Sequence, residues 1–372
     1  MNFSNTSKPL DLSCSMRPNK ATKIGLTCAN LVIFIAAIVG NVIVIYLVKS
    51  RTRLRISFNY FILSMACADL LHASMGIPLD LTFLYTGTLW FNGPFGVFMC
   101  KFIPYSIVVS VVASITTLTA TAIERYLAAK LILKKPITPK VAQIVVALIW
   151  IYALLISTHE VIKFNVIIVN KTTPHCFPVL EDWVGTNTIE MTIKFVLMYL
   201  LPLFTMATLY AHIIWMLRQH SGSSLQTEQY KSIQRRKKNL TRKLVMITVI
   251  FAVCWLPVHV NHFLATFDYA LFTCIPSHWH LVFFWLAHAN TAINPVLYLL
   301  LTKNARALFK SSVHAAKGDG NDNGSRRSGS RKLWMFQRFP SDSRLLTACV
   351  SIQTSEDEEK GHEMNLIVEP AM

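Results

Sequence analysis

The sequence predicts an all-α membrane protein, a bundle of seven transmembrane helices followed by a short amphipathic eighth helix. Three observations predict it: a shortage of charge, seven long apolar segments, and the way basic residues alternate between the connecting loops. Only 15% of the 372 residues are charged, 53% are hydrophobic, and the mean hydropathy is +0.44. A soluble domain carries roughly 25% charged residues, so this chain lacks the polar surface to cover a water-soluble fold. Its length would otherwise suit two or three soluble domains. The formal net charge of +17 raises the possibility of a nucleic-acid partner. The basic residues, however, sit in short runs between long apolar stretches, so the expected partner is the lipid bilayer and not a nucleic acid.

A hydrocarbon core of ~30 Å needs about 20 apolar helical residues. Seven segments meet that length, at 24–48, 57–84, 97–130, 140–163, 187–217, 240–267 and 279–301. Strands of a membrane barrel would be ~10 residues long with strict alternation. The first segment shows none, and helices satisfy every backbone group within the span. The predicted organisation is an extracellular N-terminal segment over 1–23, the bundle over 24–301, an amphipathic helix over 302–314 and a disordered cytoplasmic tail over 315–372. The first apolar run is too long for a signal-peptide core of ~7–15 residues, so no cleavable signal is expected.

Orientation follows from lysine and arginine in short loops. The first loop holds Lys49, Arg51, Arg53 and Arg55, the third Lys134 and Lys135, and the fifth Lys231, Arg235, Arg236, Lys237 and Lys238. The second and sixth loops have none and the fourth has Lys171 beyond the helix-end Lys163. The odd loops are therefore cytoplasmic and the N-terminus outside, against four basic residues in the N-terminal segment. Asn2, Asn5 and Asn170 head N-x-[ST] triplets on the outer face and are candidate glycosylation sites. Asn239 and Asn323 match the triplet too but fall inside.

Ionisable residues in mid-membrane cost roughly 2.5–3.5 kcal/mol on insertion scales, so each calls for a function. Asp69 sits mid-span, and Asn41, Ser114, Asn290 and Asn294 interrupt the first, third and seventh spans. Turned toward one another, they would surround a carboxylate with oxygens and amides. That set suits a hard cation such as sodium, or a proton; a purely structural hydrogen-bond cluster is the alternative. Pro202, Pro257 and Pro295 each remove a helix hydrogen bond and predict kinks in the last three spans. Glu124, Arg125 and Tyr126 close the third span at its cytoplasmic end. Taken as bare chemistry this is an ordinary interfacial pair. Eight cysteines show neither the spacing of a small disulfide scaffold nor a zinc motif. HExxH and GxSxG motifs are missing, so no enzyme is expected. The inverted repeats of a transporter, the main competing class, are not evident either.

Over about residues 24–312 these markers, in order and spacing, resemble a class A, rhodopsin-like G-protein-coupled receptor. They are GNVIV with Asn41, ACADL with Asp69, Cys100 opening the third span, ERY at 124–126, Trp150, Pro202 with Tyr210, CWLP at 254–257 and NPVLY at 294–298. The resemblance implies a Cys100–Cys176 disulfide, which suits the oxidising outer face. It implies that Arg125 meets the G protein on activation, that Tyr210 and Tyr298 swing toward it, and that Trp255 senses the bottom of the ligand cavity. Asp69, Ser114, Asn290 and Asn294 match the family's sodium site, with Asp69 as the metal ligand. No cofactor is implied beyond an allosteric sodium ion. Glu124 replaces the usual aspartate, Lys237 stands where some members carry an acid, and Ile132 replaces a usual proline, while Leu133 keeps the hydrophobic contact expected for a G protein. No lock between Arg125 and Lys237 is therefore expected.

The position of the amine-binding aspartate is Ile107 and that of the retinal-binding lysine is His288, which disfavours amines and retinal. What remains resembles a neuropeptide receptor of the plasma membrane, with a lipid or other small molecule as the alternative ligand. The β-branched stretch around Cys176 predicts a hairpin lid over an open site. Asp80, Glu160, Glu190, Lys194, His262 and His280 lie near outer span ends as candidate ligand contacts, with a merely exposed rim as the alternative. Cys14 and Cys274 are a candidate second disulfide. In the tail, Ser328, Thr347, Ser351, Thr354 and Ser355 are candidate phosphorylation sites for a receptor kinase and for arrestin recruitment.

Overall fold

Backbone polar groups inside hydrocarbon have to be satisfied within their own segment, and the chain meets that demand with long helices. A computed structural model describes residues 18–50, 57–130, 137–179, 183–219 and 228–301. In chain order it has α1 (Lys20–Ser50), α2 (Ser57–Thr86), α3 (Pro94–Lys130), α4 (Pro139–Ile156), α5 (Thr158–Lys163), β1 (Phe164–Val169), β2 (Thr173–Pro178), α6 (Trp183–Phe195), α7 (Leu201–Gln219), α8 (Glu228–Phe267), α9 (Tyr269–Cys274) and α10 (Ser277–Leu301). The predicted helix over 302–314, the N-terminal segment before residue 18 and the tail lie outside the described residues.

By length and composition, six helical segments qualify as spans among the described residues. The seventh, α10, is diluted by His288, Asn290, Thr291 and Asn294, but it packs against α1, α2 and α8 as a full member of the bundle. The fourth span is α4 and α5 with a break at Ser157, whose N–H reaches back to Ala153 O at 3.3 Å. No proline or glycine marks that break. The fifth span is α6 and α7 joined by a wide π turn at Val196–Leu200. Pro202 follows directly and has no N–H to give the preceding turn, which is the usual origin of such a defect. The sixth helix starts at Glu228, twelve residues before the predicted span, because an apolar criterion sees only its buried part and not the charged helical turns that precede it. Pro78 and Pro104 also lie inside α2 and α3, so proline is not confined to the last three spans.

Large side chains point outward along the bundle: Val32 is 68% exposed, Leu155 66%, Ile162 76% and Val253 65%. That distribution is a liability in water and fits lipid as solvent. In the interior, small residues pack between large ones: Ala37, Ala66, Ala113, Ala122 and Ala153 are fully buried, as are Phe61, Phe251 and Met65. Without a hydrophobic drive between helices in lipid, close backbone approach is what dispersion rewards. At Gly40 a side chain would lie 2.9 Å from Pro295 Cβ, so α1 can lie this close to Pro295 of α10 only because residue 40 has none. Trp150 Nε1 donates to Ser64 Oγ at 3.1 Å, and Ser64 pairs with Thr117 at 3.1 Å, which ties α4, α2 and α3 together.

The predicted hairpin is present. β1 and β2 pair antiparallel from Phe164↔Pro178 to Val169↔Thr173. Its turn places Asn170 and Lys171 at positive φ, 53° and 64°, a conformation that asparagine tolerates well. Asn170 is exposed at the tip, as a glycan acceptor has to be. The hairpin also grips the loop between α2 and α3, where Trp90 N donates to Pro174 O at 2.9 Å and Cys176 N to Thr88 O at 3.0 Å.

Candidate functional site

At mid-bundle, Asn294 of α10 donates to both carboxylate oxygens of Asp69 on α2, at 3.0 and 3.4 Å. Asn41 of α1 donates to the backbone oxygens of Ala37 and Thr291, at 2.9 and 3.0 Å. Asp69, Asn41, Ser114, Asn290 and Asn294 are all buried. The Ser114 hydroxyl and the side-chain oxygens of Asn41, Asn290 and Asn294 are buried with no hydrogen-bond partner. Orphaned buried acceptors are expensive. An oxygen-rich set around one carboxylate answers that cost if a hard cation enters, so the residues present fit a sodium ion held by Asp69, Ser114 and Asn294.

At the C-terminal end of α3, Arg125 folds back on Glu124 in a two-pronged ion pair. Ser57 donates to Glu124 at 3.3 Å, and the guanidinium lies 4.7 Å from the centre of the Phe58 ring. Glu124 is buried, whereas Arg125 keeps 19% of its side chain exposed. Lys237 of α8 donates to Ala128 O at 3.4 Å, and it has no acid with which to lock Arg125. Tyr126 meets His212 edge-on at 6.2 Å. Tyr210 is buried in the core cluster, and Tyr298 donates to Met65 Sδ at 3.0 Å. Trp255, one turn from Phe251 and two residues before the helix-breaking Pro257, has its indole N–H buried without an acceptor.

At the opposite end of the bundle, Cys100 of α3 and Cys176 of β2 form a disulfide with a Cα–Cα distance of 5.7 Å, across 76 residues. Losing a native disulfide costs about 2–5 kcal/mol in small secreted domains. Cys100→Ser or Cys176→Ser is therefore expected to remove the protein from the cell surface or abolish ligand binding. Surface labelling reads that outcome, and a free thiol at either position in mature protein would contradict the pairing. Beside the hairpin, Lys194 of α6 is ion-paired with both Glu160 and Glu190, and Lys163 reaches Glu190 at 2.9 Å. These two acids and two bases join the tops of the fourth and fifth spans. His159, Glu160 and Glu190 offer ligand atoms within 4.8 Å of one another, but a metal there would have to displace both ammonium groups. A cavity of about 340 Å³ includes Glu190 and Lys194 of this array in its wall, together with His159, Val108, Tyr152 and Met198.

A family model described as "7 transmembrane receptor (rhodopsin family)" matches residues 40–298. The chain belongs to that family. Among its relatives the receptor is 30% identical to the RYamide receptor of Drosophila melanogaster, over 86% of its own length and 69% of the relative's. It is 31% identical to the QRFP-like peptide receptor of Branchiostoma floridae, over 76% and 75%. It is 30% identical to the substance-K receptor of Mus musculus, over 76% and 73%. The family is one of signalling receptors, which sets aside the transporter and enzyme alternatives.

Of the outer candidates, the receptor brings Glu160, Glu190 and Lys194 into one paired array. His262 sits against Phe284 at 5.9 Å between ring centres, and His280 hydrogen-bonds Asn261. Ile107 is half-buried on α3 and lends its carbonyl to Ser110. Asp80, a candidate ligand contact near an outer span end, is buried and bonded to His288 Nε2 at 2.9 Å. That partnership went unread, although His72, Gly76 and Asp80 at i, i+4 and i+8 put one stripe on a single helix face. Leu133, Asn2, Asn5, Cys14 and the tail sites Ser328, Thr347, Ser351, Thr354 and Ser355 lie outside the described residues, so the proposed partner of Cys274 does too.

Proposed function

We propose that the receptor binds an extracellular peptide and passes the signal to a heterotrimeric G protein at the inner face of the plasma membrane, with its N-terminus outside. The observation that carries the peptide reading is the set of relatives: at 30–31% identity over most of this chain, they are named for peptide ligands. The disulfide-tethered hairpin supports it, because a rigid lid held to the wall leaves the mouth open to a long ligand. The paired Glu160–Lys194–Glu190–Lys163 array supplies both signs of charge for exchange with a peptide's own ions. Arg125 is the G-protein contact, with Leu133 beside it on the second inner loop, and Trp255, Pro257, Pro295, Tyr210 and Tyr298 are the moving parts. A sodium ion at Asp69 holds the resting packing. The tail takes phosphates from a receptor kinase and recruits arrestin.

The test is a second-messenger screen of cells expressing the receptor against a peptide library and, in parallel, a lipid and small-molecule library. Saturable responses to one peptide series, missing in untransfected cells, are expected. Responses confined to the lipid or small-molecule library would overturn the peptide reading and leave the receptor assignment standing.

A further inference from the structure

Asp80, His288, His72 and Ser110 form an unbroken buried hydrogen-bond chain across α2, α10 and α3, which the signalling scheme above does not use. His288 Nε2 lies 2.9 Å from Asp80 Oδ2, His288 Nδ1 lies 2.9 Å from His72 Nε2, and His72 Nδ1 lies 3.0 Å from Ser110 Oγ. All four side chains are buried. Ser110 Oγ donates in turn to the carbonyl of Ile107 at 2.6 Å. Gly76 makes the room, since a Cβ there would lie 2.7 Å from His288 Cε1. The His72 ring meets Trp255 edge-on, with ring centres 5.6 Å apart.

Counting protons decides what such a chain can do. Each of its three links needs one hydrogen, a neutral imidazole supplies one N–H, and a carboxylate supplies none. With the Ser110 hydroxyl given to Ile107, His72 has to donate from Nδ1 to Ser110, and His288 from Nδ1 to His72. The link to Asp80 then has two acceptors face to face unless one further proton occupies it, on the carboxyl or on His288 Nε2. Without that proton the chain is complete only in reverse. Ser110 then turns its hydroxyl to His72 Nδ1, His72 donates from Nε2 to His288 Nδ1, and His288 donates from Nε2 to the Asp80 carboxylate. The Ile107 carbonyl still has its helical N–H. Both directions satisfy every buried group, and they differ by one proton and by the tautomer of His72.

We propose that this chain is a proton-binding site, loaded with one proton in the packing described here and reversing direction when the proton leaves. Proton loss places a net negative charge on the chain, whose His72 lies one helical turn beyond Asp69. It also changes the tautomer of the ring packed on Trp255. Whatever alters the packing at Trp255 therefore alters the affinity for the proton, and the converse holds by linkage. Few other charges face the chain. On α2 these are Asp69 and Asp80 themselves. On α3 only hydroxyls and Tyr105, which donates to Leu154 O, intervene between Lys101 and Glu124. On α8, His259 packs on Phe195 and Tyr199 and His262 on Phe284, while Cys254 is buried near Trp255. On α10 the neighbours are His280 and Tyr298, and on α1 only Cys28 and Tyr46 lie between Lys23 and Lys49.

The experiment is nitrogen NMR of the full-length receptor in lipid nanodiscs, labelled at histidine and titrated between about pH 5 and 8, where histidine sites change charge. The His72 signals are assigned by their loss in His72→Phe. The expected result is a single step in which the hydrogen on His72 moves from Nδ1 to Nε2 as pH rises. In Asp80→Asn the amide can either donate to His288 or accept from it, so the chain closes in either direction with no extra proton. The step should vanish in that variant while the melting temperature stays near that of the parent. One unchanging His72 tautomer in the parent overturns the proposal, and so does a step that persists in Asp80→Asn. If the variant does not fold, the parent titration alone decides.

Discussion

Replacing Arg125 with alanine is expected to reduce agonist-stimulated nucleotide exchange to that of membranes lacking the receptor, with surface expression and ligand binding largely kept. The guanidinium is a fixed charge parked on Glu124, Phe58 and the end of α3, away from the outer cavity, so its loss leaves the ligand-binding half intact. Arg125→Glu should behave the same way. Glu124→Gln should do the opposite and raise basal exchange, because it weakens the pair that holds Arg125 back. Normal exchange by a well-expressed Arg125→Ala receptor would remove Arg125 from the coupling role.

Asp69→Asn is expected to erase the effect of sodium on agonist affinity. The substitution keeps the shape and the link to Asn294 but removes the charge that a cation needs. A ligand shifts a two-state equilibrium only by its differential affinity for the two states. Coupling energies between sites are typically about 1–3 kcal/mol and reciprocal, so saturating sodium should weaken agonist binding by roughly 5–150-fold in the parent receptor. Competition binding in sodium, against a large organic cation at matched ionic strength, reads this directly. Equal sodium sensitivity in the parent and in Asp69→Asn would place the cation elsewhere.

The bundle was legible in the sequence because lipid leaves few alternatives: an apolar run of sufficient length has to be a helix. The hairpin was legible for a related reason, since FNVIIV and the stretch around Cys176 are β-branched segments flanking an asparagine turn. What escaped were features that no local pattern encodes. The break at Ser157 carries neither proline nor glycine, and the early start of α8 is a helix outside the membrane. The burial of Asp80 escaped because its depth depends on His288, more than two hundred residues away, and on the space left by Gly76. Glu160, Glu190 and Lys194 were named singly. Their mutual pairing, and the part of Lys163 in it, needed the packing of the fourth span on the fifth.

In the proposed function, a peptide outside drives a G protein inside. The most direct measurement reconstitutes the purified receptor in lipid with heterotrimeric G proteins of each class and follows nucleotide exchange as the active peptide is added. Saturable acceleration is expected for at least one G-protein class, lost in Arg125→Ala and dependent on the Cys100–Cys176 disulfide. Peptide binding without acceleration in any class, using receptor whose disulfide is intact, would contradict it.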